Sequence, residues 1–247
     1  MKLVADLHIH TVASGHAYST IDEIAKAAAL KGLKLIAITD HGPGLPGGAH
    51  AYHFWNLRVV PRELYGVRIL KGVEANIVDS GGNLDLPQDL LKTLDIVHVG
   101  FHPRCGYEGK TTRENTRALL GAIRNPFVDV IVHPGNPNFP IDAEEVVAAA
   151  AAHDALFEIN NSSFLTSTSR VGSYAYDLEI AKVARRHNLD IIISSDAHLA
   201  QGVGEFGEAI KLALEAGYLK ENILNCSLDK VLNFVERKKE IKFAVRT

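Results

Sequence analysis

Seven short apolar runs rich in β-branched residues, separated by segments of helical period, constrain this chain more than any other feature. The runs cover residues 3–9, 33–39, 67–77, 95–101, 128–133, 155–160 and 190–195. Continuous apolar runs suit strands buried on both faces, and strands that alternate with helices assemble into a parallel sheet. In the first intervening segment Ile21, Ile24, Ala25 and Ala28 recur at helical spacing; Ser19 or Thr20 can cap the start, and Gly32 stops it. The same logic predicts helices from Asp142 to near His153, over 174–187, over 205–216 and over 228–238, the last capped by Ser227. Residues 42–62, rich in Gly and Pro, read as a long loop. No linker, compositional shift or internal repeat divides the chain, so one domain over 1–247 is expected. An open doubly wound sheet and a closed (β/α) barrel both satisfy the pattern.

Composition removes other classes. With 47% hydrophobic and 22% charged residues the chain has material for a sizeable core and is neither disordered nor collagen-like. A net charge of −3 argues against wholesale wrapping of nucleic acid. Cys105 and Cys226 make neither a disulfide framework nor a zinc ribbon, and read as reduced thiols. The N-terminal segment lacks the apolar core of a signal peptide, and no apolar stretch approaches the ~18–20 residues that span a bilayer. A cytoplasmic protein without a membrane partner is expected.

The polar residues favour the barrel. His8 and His10 end the first run; residues i and i+2 of a strand share a face, so the two imidazoles can share one cation. Alone the pair means little, because twelve histidines make chance pairs common. Repetition gives it weight. Asp40 and His41 end the second run, Glu74 lies in the third, and His102 and His133 end the fourth and fifth. Asp196 and His198 end the seventh, and His16 sits in the loop after the first. In a parallel barrel the C-terminal strand ends form one face where functional groups converge. A shared metal site follows. Imidazole with carboxylate suits Zn²⁺, Mn²⁺ or Fe²⁺ rather than Mg²⁺ or Ca²⁺, and the lack of Cys ligands points to a catalytic site.

The ordered motifs Asp6-Leu7-His8-Ile9-His10-Thr11, Thr39-Asp40-His41-Gly42, Gly72-Val73-Glu74-Ala75-Asn76, Gly100-Phe101-His102, His133-Pro134-Gly135-Asn136-Pro137, Glu158-Ile159-Asn160-Asn161 and Ser195-Asp196-Ala197-His198 resemble the PHP (polymerase and histidinol phosphatase) superfamily, and within it the YcdX-type probable phosphatases. The resemblance implies a distorted seven-stranded, TIM-like (β/α) barrel with a trinuclear cluster, usually zinc. Carried over by position, it gives His8, His10, Glu74 and Asp196 to one metal and His16, His41 and His198 to a second. Glu74 would bridge to a third held by His102 and His133. Two carboxylates leave most of the charge of three divalent ions unbalanced, a demand that a phosphate dianion meets. The implied reaction is hydrolysis of small phosphate monoesters by a metal-bridging hydroxide, and the resemblance allows a homotrimer.

Three other functions compete: an amidohydrolase-type C–N or C–O hydrolase, a nuclease acting on nucleic-acid ends, and a non-enzymatic metal-binding module. The first commonly needs a lysine at a strand end, and Lys71 lies three residues before Glu74 instead. Asn160, Asn161 and Arg170 are candidate substrate contacts; the asparagines could instead hold metal ligands in place, with a loop-starting Asx-turn as the plainer role. Arg104 is a further candidate phosphate clamp. His50, His53 and Trp55 could shape the pocket mouth or simply pack the loop. His153 and His187 read as structural, His98 as a buried hydrogen-bonded histidine, and Cys105 as inert. Residues 104–110 and the last ten match no family pattern.

Overall fold

A computed structural model describes residues 1–245. In chain order it contains β1 (Ala5–Ile9), α1 (Ile21–Leu30), β2 (Leu35–Ile38), α2 (Ala51–Asn56), β3 (Glu63–Leu64), β4 (Val67–Asn76), α3 (Gln88–Leu91) and β5 (Ile96–Gly100). There follow α4 (Thr112–Ile123), β6 (Val130–Ile131), α5 (Ala143–Ala152), β7 (Leu156–Asn160), α6 (Ser173–Arg186), β8 (Ile191–Ser194), α7 (Gly207–Glu215) and α8 (Leu228–Ala244). Seven strands pair in parallel in the order β1-β2-β4-β5-β6-β7-β8, and β3 pairs antiparallel with β4. Among the described residues no helix is long and apolar enough to cross a membrane.

The sheet curls into a nearly closed barrel whose last seam is made by side chains. Between β8 and β1 the backbone contributes a single bridge, Ile9 to Ala197. Below it the buried Asp6 carboxylate accepts from the Ser195 hydroxyl (2.5 Å), the Ser195 N–H (3.1 Å) and the Gly204 N–H (2.8 Å). Lower still, the Asn225 amide donates to the carbonyls of Ala5 and Ile193 and accepts from Ile193 N–H, bonding as a strand residue would. The barrel is a distorted seven-stranded (β/α) barrel.

Strand parity sorts the interior. Ala5, Leu7, Leu35, Ala37, Leu70, Ile96, Val130, Leu156 and Ile192 fill the lower barrel, and Val231, Phe234 and Val235 of α8 close it from beneath. The outward residues Ile9, Ile36, Ile38, Val99, Ile131, Phe157 and Ile193 join the layer beneath the surrounding helices. A bulge in β1 breaks strict alternation: Asp6 pairs with Ile36 and Ile9 with Ile38, so Leu7 and His8 together oppose Ala37. The extra residue lets one strand bury Leu7 in the lower core and still turn His8 and His10 inward above it.

The helices agree with their caps. Thr20 rather than Ser19 caps α1, in a reciprocal box with Glu23; Asp142 caps α5 and Ser227 caps α8. Residues 42–62 are not wholly loop, because α2 forms within them on the His50 cap. Helix α8 runs six residues past the expected 238, and there Lys238 and Lys242 are buried.

Candidate metal centre

All nine histidine and acid positions implied by the family pattern meet at the C-terminal end of the barrel. His8, His10, Glu74, His98 and Glu158 lie fully buried, and His41, His102, His133 and Asp196 nearly so. Backbone pairing extends past the strands to set them. His10 N–H donates to the Ala197 carbonyl, fixing His10 beside Asp196, and Gly42 N–H donates to the Glu74 carbonyl, fixing His41 beside Glu74. His133 (φ 34°) and Asp196 (φ 53°) both sit in left-handed backbone, a strain of about 1–3 kcal/mol each that recurs at functional sites. Glycine makes room: a Cβ on Gly100 would stand 2.8 Å from the His133 ring, and one on Gly72 would stand 2.7 Å from Ile96.

The donor atoms converge in a way that mutual hydrogen bonding does not explain. His8 Nε2 lies 3.0 Å from His10 Nε2 and 3.2 Å from Glu74 Oε2. His10 Nε2 lies 3.3 Å from Glu74 Oε2 and 3.1 Å from Asp196 Oδ1. Ligands about 2.0–2.1 Å from a tetrahedral cation stand about 3.3 Å apart, so this spacing suits one. The other Glu74 oxygen, Oε1, is 2.9 Å from His102 Nε2 and 2.7 Å from His133 Nε2. His16 Nε2 and His198 Nε2 are 3.0 Å apart, with the His41 ring stacked 5.0 Å from that of His16. Glu74 Oε2 and His41 Nδ1 are buried without a hydrogen bond although 2.9 Å apart.

The far side of each ring is anchored. His8 Nδ1 donates to Glu158 Oε1 (2.7 Å) and His10 Nδ1 to the Ser14 hydroxyl (3.0 Å), which itself donates to Asp40. His16 and His198 use Nδ1 on the carbonyls of Ser14 and Asp196. With Nδ1–H engaged, the Nε2 lone pairs of these four rings are free to coordinate. Burial lowers the histidine pKa values, but the carboxylates win at two rings: Glu158 and Glu74 hold His8 well above its usual range, and Asp196 and Glu74 raise His10 to about 9. Burial keeps His41 well below that range and brings His133 and His198 down to about 4. Burial pushes Glu74 and Asp196 upward, but the surrounding imidazoles hold both far below the usual carboxylate range. Glu74, Glu158 and Asp196 thus draw His8 and His10 toward their charged form, and Arg170 pairs with Asp196.

Above this floor opens a cavity of about 660 Å³, walled by the loops after β2, β5, β6, β7 and β8. A model of the PHP domain matches residues 6–239. The chain belongs to the PHP family. A probable phosphatase of Caldanaerobacter subterraneus subsp. tengcongensis is 50% identical over 240 residues, which cover 97% of this chain and 94% of that protein. A probable phosphatase of Acetivibrio thermocellus is 48% identical over 97% of this chain and 98% of its own. The histidinol phosphate phosphatase of Lactococcus lactis, complexed with zinc, L-histidinol and phosphate, shares the fold: its TM-score is 0.60 at 16% identity, over 87% of this chain and 94% of that one.

The PHP barrel uses the remaining candidates unequally. Arg170 lines the cavity and donates to Asp196 Oδ2 (2.7 Å) and the Ser163 hydroxyl (2.9 Å). Asn160 is fully buried and donates to Glu158 and Asp196, so it holds acids in place beneath the cavity. Asn161 is a correction to the expected substrate contacts. Its side-chain oxygen accepts from Glu208 and Ala209 N–H at the start of α7, a helix whose own cap residue, Phe206, offers no side-chain acceptor. His98 is buried as expected, but neither ring nitrogen has a hydrogen-bond partner, and burial lowers its pKa to about 3. His53 lies 3.4 Å from Asp40, and burial raises the Cys105 thiol to about 12, in keeping with an inert cysteine. Sequence reasoning missed Glu158 as the His8 anchor, although it points to the same strand face as Asn160.

Proposed function

We propose that this PHP protein is a metal-dependent phosphatase that hydrolyses small phosphate monoesters at a cluster of three divalent cations. The observation that carries the reading is the fully buried Glu74 carboxylate, one oxygen facing His8, His10 and His41 and the other facing His102 and His133. One acid shared by five imidazoles suits a bridge between cations. In this reading His8, His10, Glu74 and Asp196 hold the first cation, His16, His41 and His198 the second, and His102 and His133 share Glu74 around the third. Zn²⁺ suits these donors best, with Mn²⁺ and Fe²⁺ as alternatives. When bound, such cations supply Lewis acidity, lowering the pKa of water and neutralising charge on phosphoryl oxygens.

The chain's own groups complete the site. Glu158 and Ser14 fix the His8 and His10 rings, and Asn160 and Arg170 fix the second oxygen of Asp196. Arg170 spends Nε and Nη2 on protein partners, leaving Nη1 for a phosphoryl oxygen at the cavity wall. The naming of the relatives as probable phosphatases supports the reaction class, and the zinc and phosphate of the Lactococcus enzyme support the chemistry. Lys71 points outward to the Arg58 carbonyl, which counts against a lysine-bridged amidohydrolase centre. Metal analysis of the purified protein, run beside a panel of phosphate esters, amides and lactones, tests the proposal. Three metal equivalents with turnover of phosphate esters are expected; turnover of amides or lactones alone, or undiminished phosphatase activity after complete metal removal, would refute it.

A further inference from the structure

We infer that Arg104 forms a second anion subsite, and that the substrate carries a further anionic group, a carboxylate or a second phosphate, beyond the phosphoryl group to be cleaved. The inference rests on the phosphatase reading and concerns the same cavity. Arg104 follows His102-Pro103 in the loop after β5 and lines the cavity. Its charge is unspent: among the described residues the arginines in ion pairs are Arg62, Arg170, Arg186 and Arg237. The only carboxylates among the described cavity-lining residues are Glu74 and Asp196, both buried and occupied by histidines. The upper wall therefore carries a guanidinium with no anion to meet it.

The loop that presents Arg104 is built rather than slack. Arg104 itself is held at φ 65°, in the left-handed region that a bulky side chain avoids, and Gly106 follows at φ 94°. Between them Cys105 is buried, its thiol 3.4 Å from the Asn76 side-chain oxygen, and the Tyr107 hydroxyl donates to Asn115 at 2.9 Å. These anchors hold an exposed arginine in a costly backbone state beside the site. At about 660 Å³ the cavity falls in the range of pockets that hold whole metabolites, so it has room for more than a phosphoryl group.

The test compares wild type with Arg104→Gly and Arg104→Gln in the metal-loaded protein. Glycine accepts the left-handed φ without strain, so Arg104→Gly should melt no lower than wild type. Kinetics are measured on p-nitrophenyl phosphate, on glycerol 3-phosphate against 3-phosphoglycerate, and on fructose 6-phosphate against fructose 1,6-bisphosphate. For the member with the extra anion both variants should raise KM about ten- to hundred-fold with little change in kcat. p-Nitrophenyl phosphate should stay within about twofold. The pair that responds tells a carboxylate from a second phosphate. Equal losses on all substrates, or no loss on any, would overturn the subsite. Wild type that hydrolyses p-nitrophenyl phosphate but ignores the extra anion would also overturn it while sparing the phosphatase reading; failure on every phosphate ester would remove both.

Discussion

At the N-terminal end of the barrel Asp95 and Asp129 are buried beside lysines; at the C-terminal end Glu74, Glu158 and Asp196 are buried beside histidines. In the lower set Lys242 meets Asp129, Lys238 lies 3.6 Å from it, and Lys239 (3.0 Å) and Arg62 (2.5 Å) hold Asp95. Each acid there also takes a backbone N–H, from Val97 or Lys71. Those charges are closed within the chain. In the upper set Arg170 is the arginine paired with an acid, Asp196, and the other partners of the acids are imidazoles, of which His8 and His10 are drawn toward their charged form. A lysine holds its proton and cannot coordinate; an imidazole can exchange its proton for a cation. The two ends show that burying an acid does not by itself make a site, and that the neighbours decide.

The largest effect should come from Glu74→Gln, which keeps the shape but removes the shared charge: turnover of a phosphate ester should fall on the order of 10³-fold or more, with loss of bound metal. Unchanged kcat/KM would break the contrast at its upper end. Asp129→Asn should do the reverse, leaving metal content and activity per folded molecule intact while costing about 3–5 kcal/mol in denaturant unfolding, because Lys242 and Lys238 lose their counter-ion. Glu158→Gln should weaken metal affinity about 10–100-fold by freeing the His8 ring, as read by competition with a chelator.

Acid sharpens the comparison further. Burial opposes the charge on His8 and His10, but the acids around them raise both above the ordinary 6.5, His10 to about 9. Their protons therefore stabilise the metal-free fold fully below pH 6.5, and that contribution fades as pH rises through about 9. A cation must expel those protons, so its apparent affinity should climb about tenfold per pH unit for each proton displaced. Titration calorimetry in buffers of different ionisation enthalpy would count them; an affinity flat between pH 6.5 and 8.5 would contradict the scheme. The smallest effect belongs to Asn161→Ala, about 1 kcal/mol of stability from the uncapped α7, with kcat/KM unmoved.

Much of this was legible in the sequence because it is local. The apolar runs marked all seven parallel strands, and the imidazoles and acids at their ends lie on the expected face because strand parity and parallel order leave them nowhere else to go. What was missed depends on distant partners. Lys238, at the expected end of the last helix, and Lys242, beyond it, carry no sign in the sequence of the buried Asp129 that they meet, 113 positions from Lys242. Asn161 could be read as a site residue until α7 arrived in need of a cap. The bulge that turns His8 inward has no signature in residue type, and an Asp or His tolerates left-handed backbone without announcing it, so the conformation at His133 and Asp196 could not be read from the sequence. Helix α4 did have one, the Thr111–Glu114 capping box, but its polar face hid the apolar period.

The central claim is that the upper rim is completed by cations that the chain does not itself supply. Anomalous diffraction at the zinc edge from metal-loaded crystals tests it most directly. Three peaks are expected among His8, His10, His16, His41, Glu74, His102, His133, Asp196 and His198, none near Asp129. No peak at the rim, or imidazoles turned away from one another with Glu74 bonded only to protein, would contradict it.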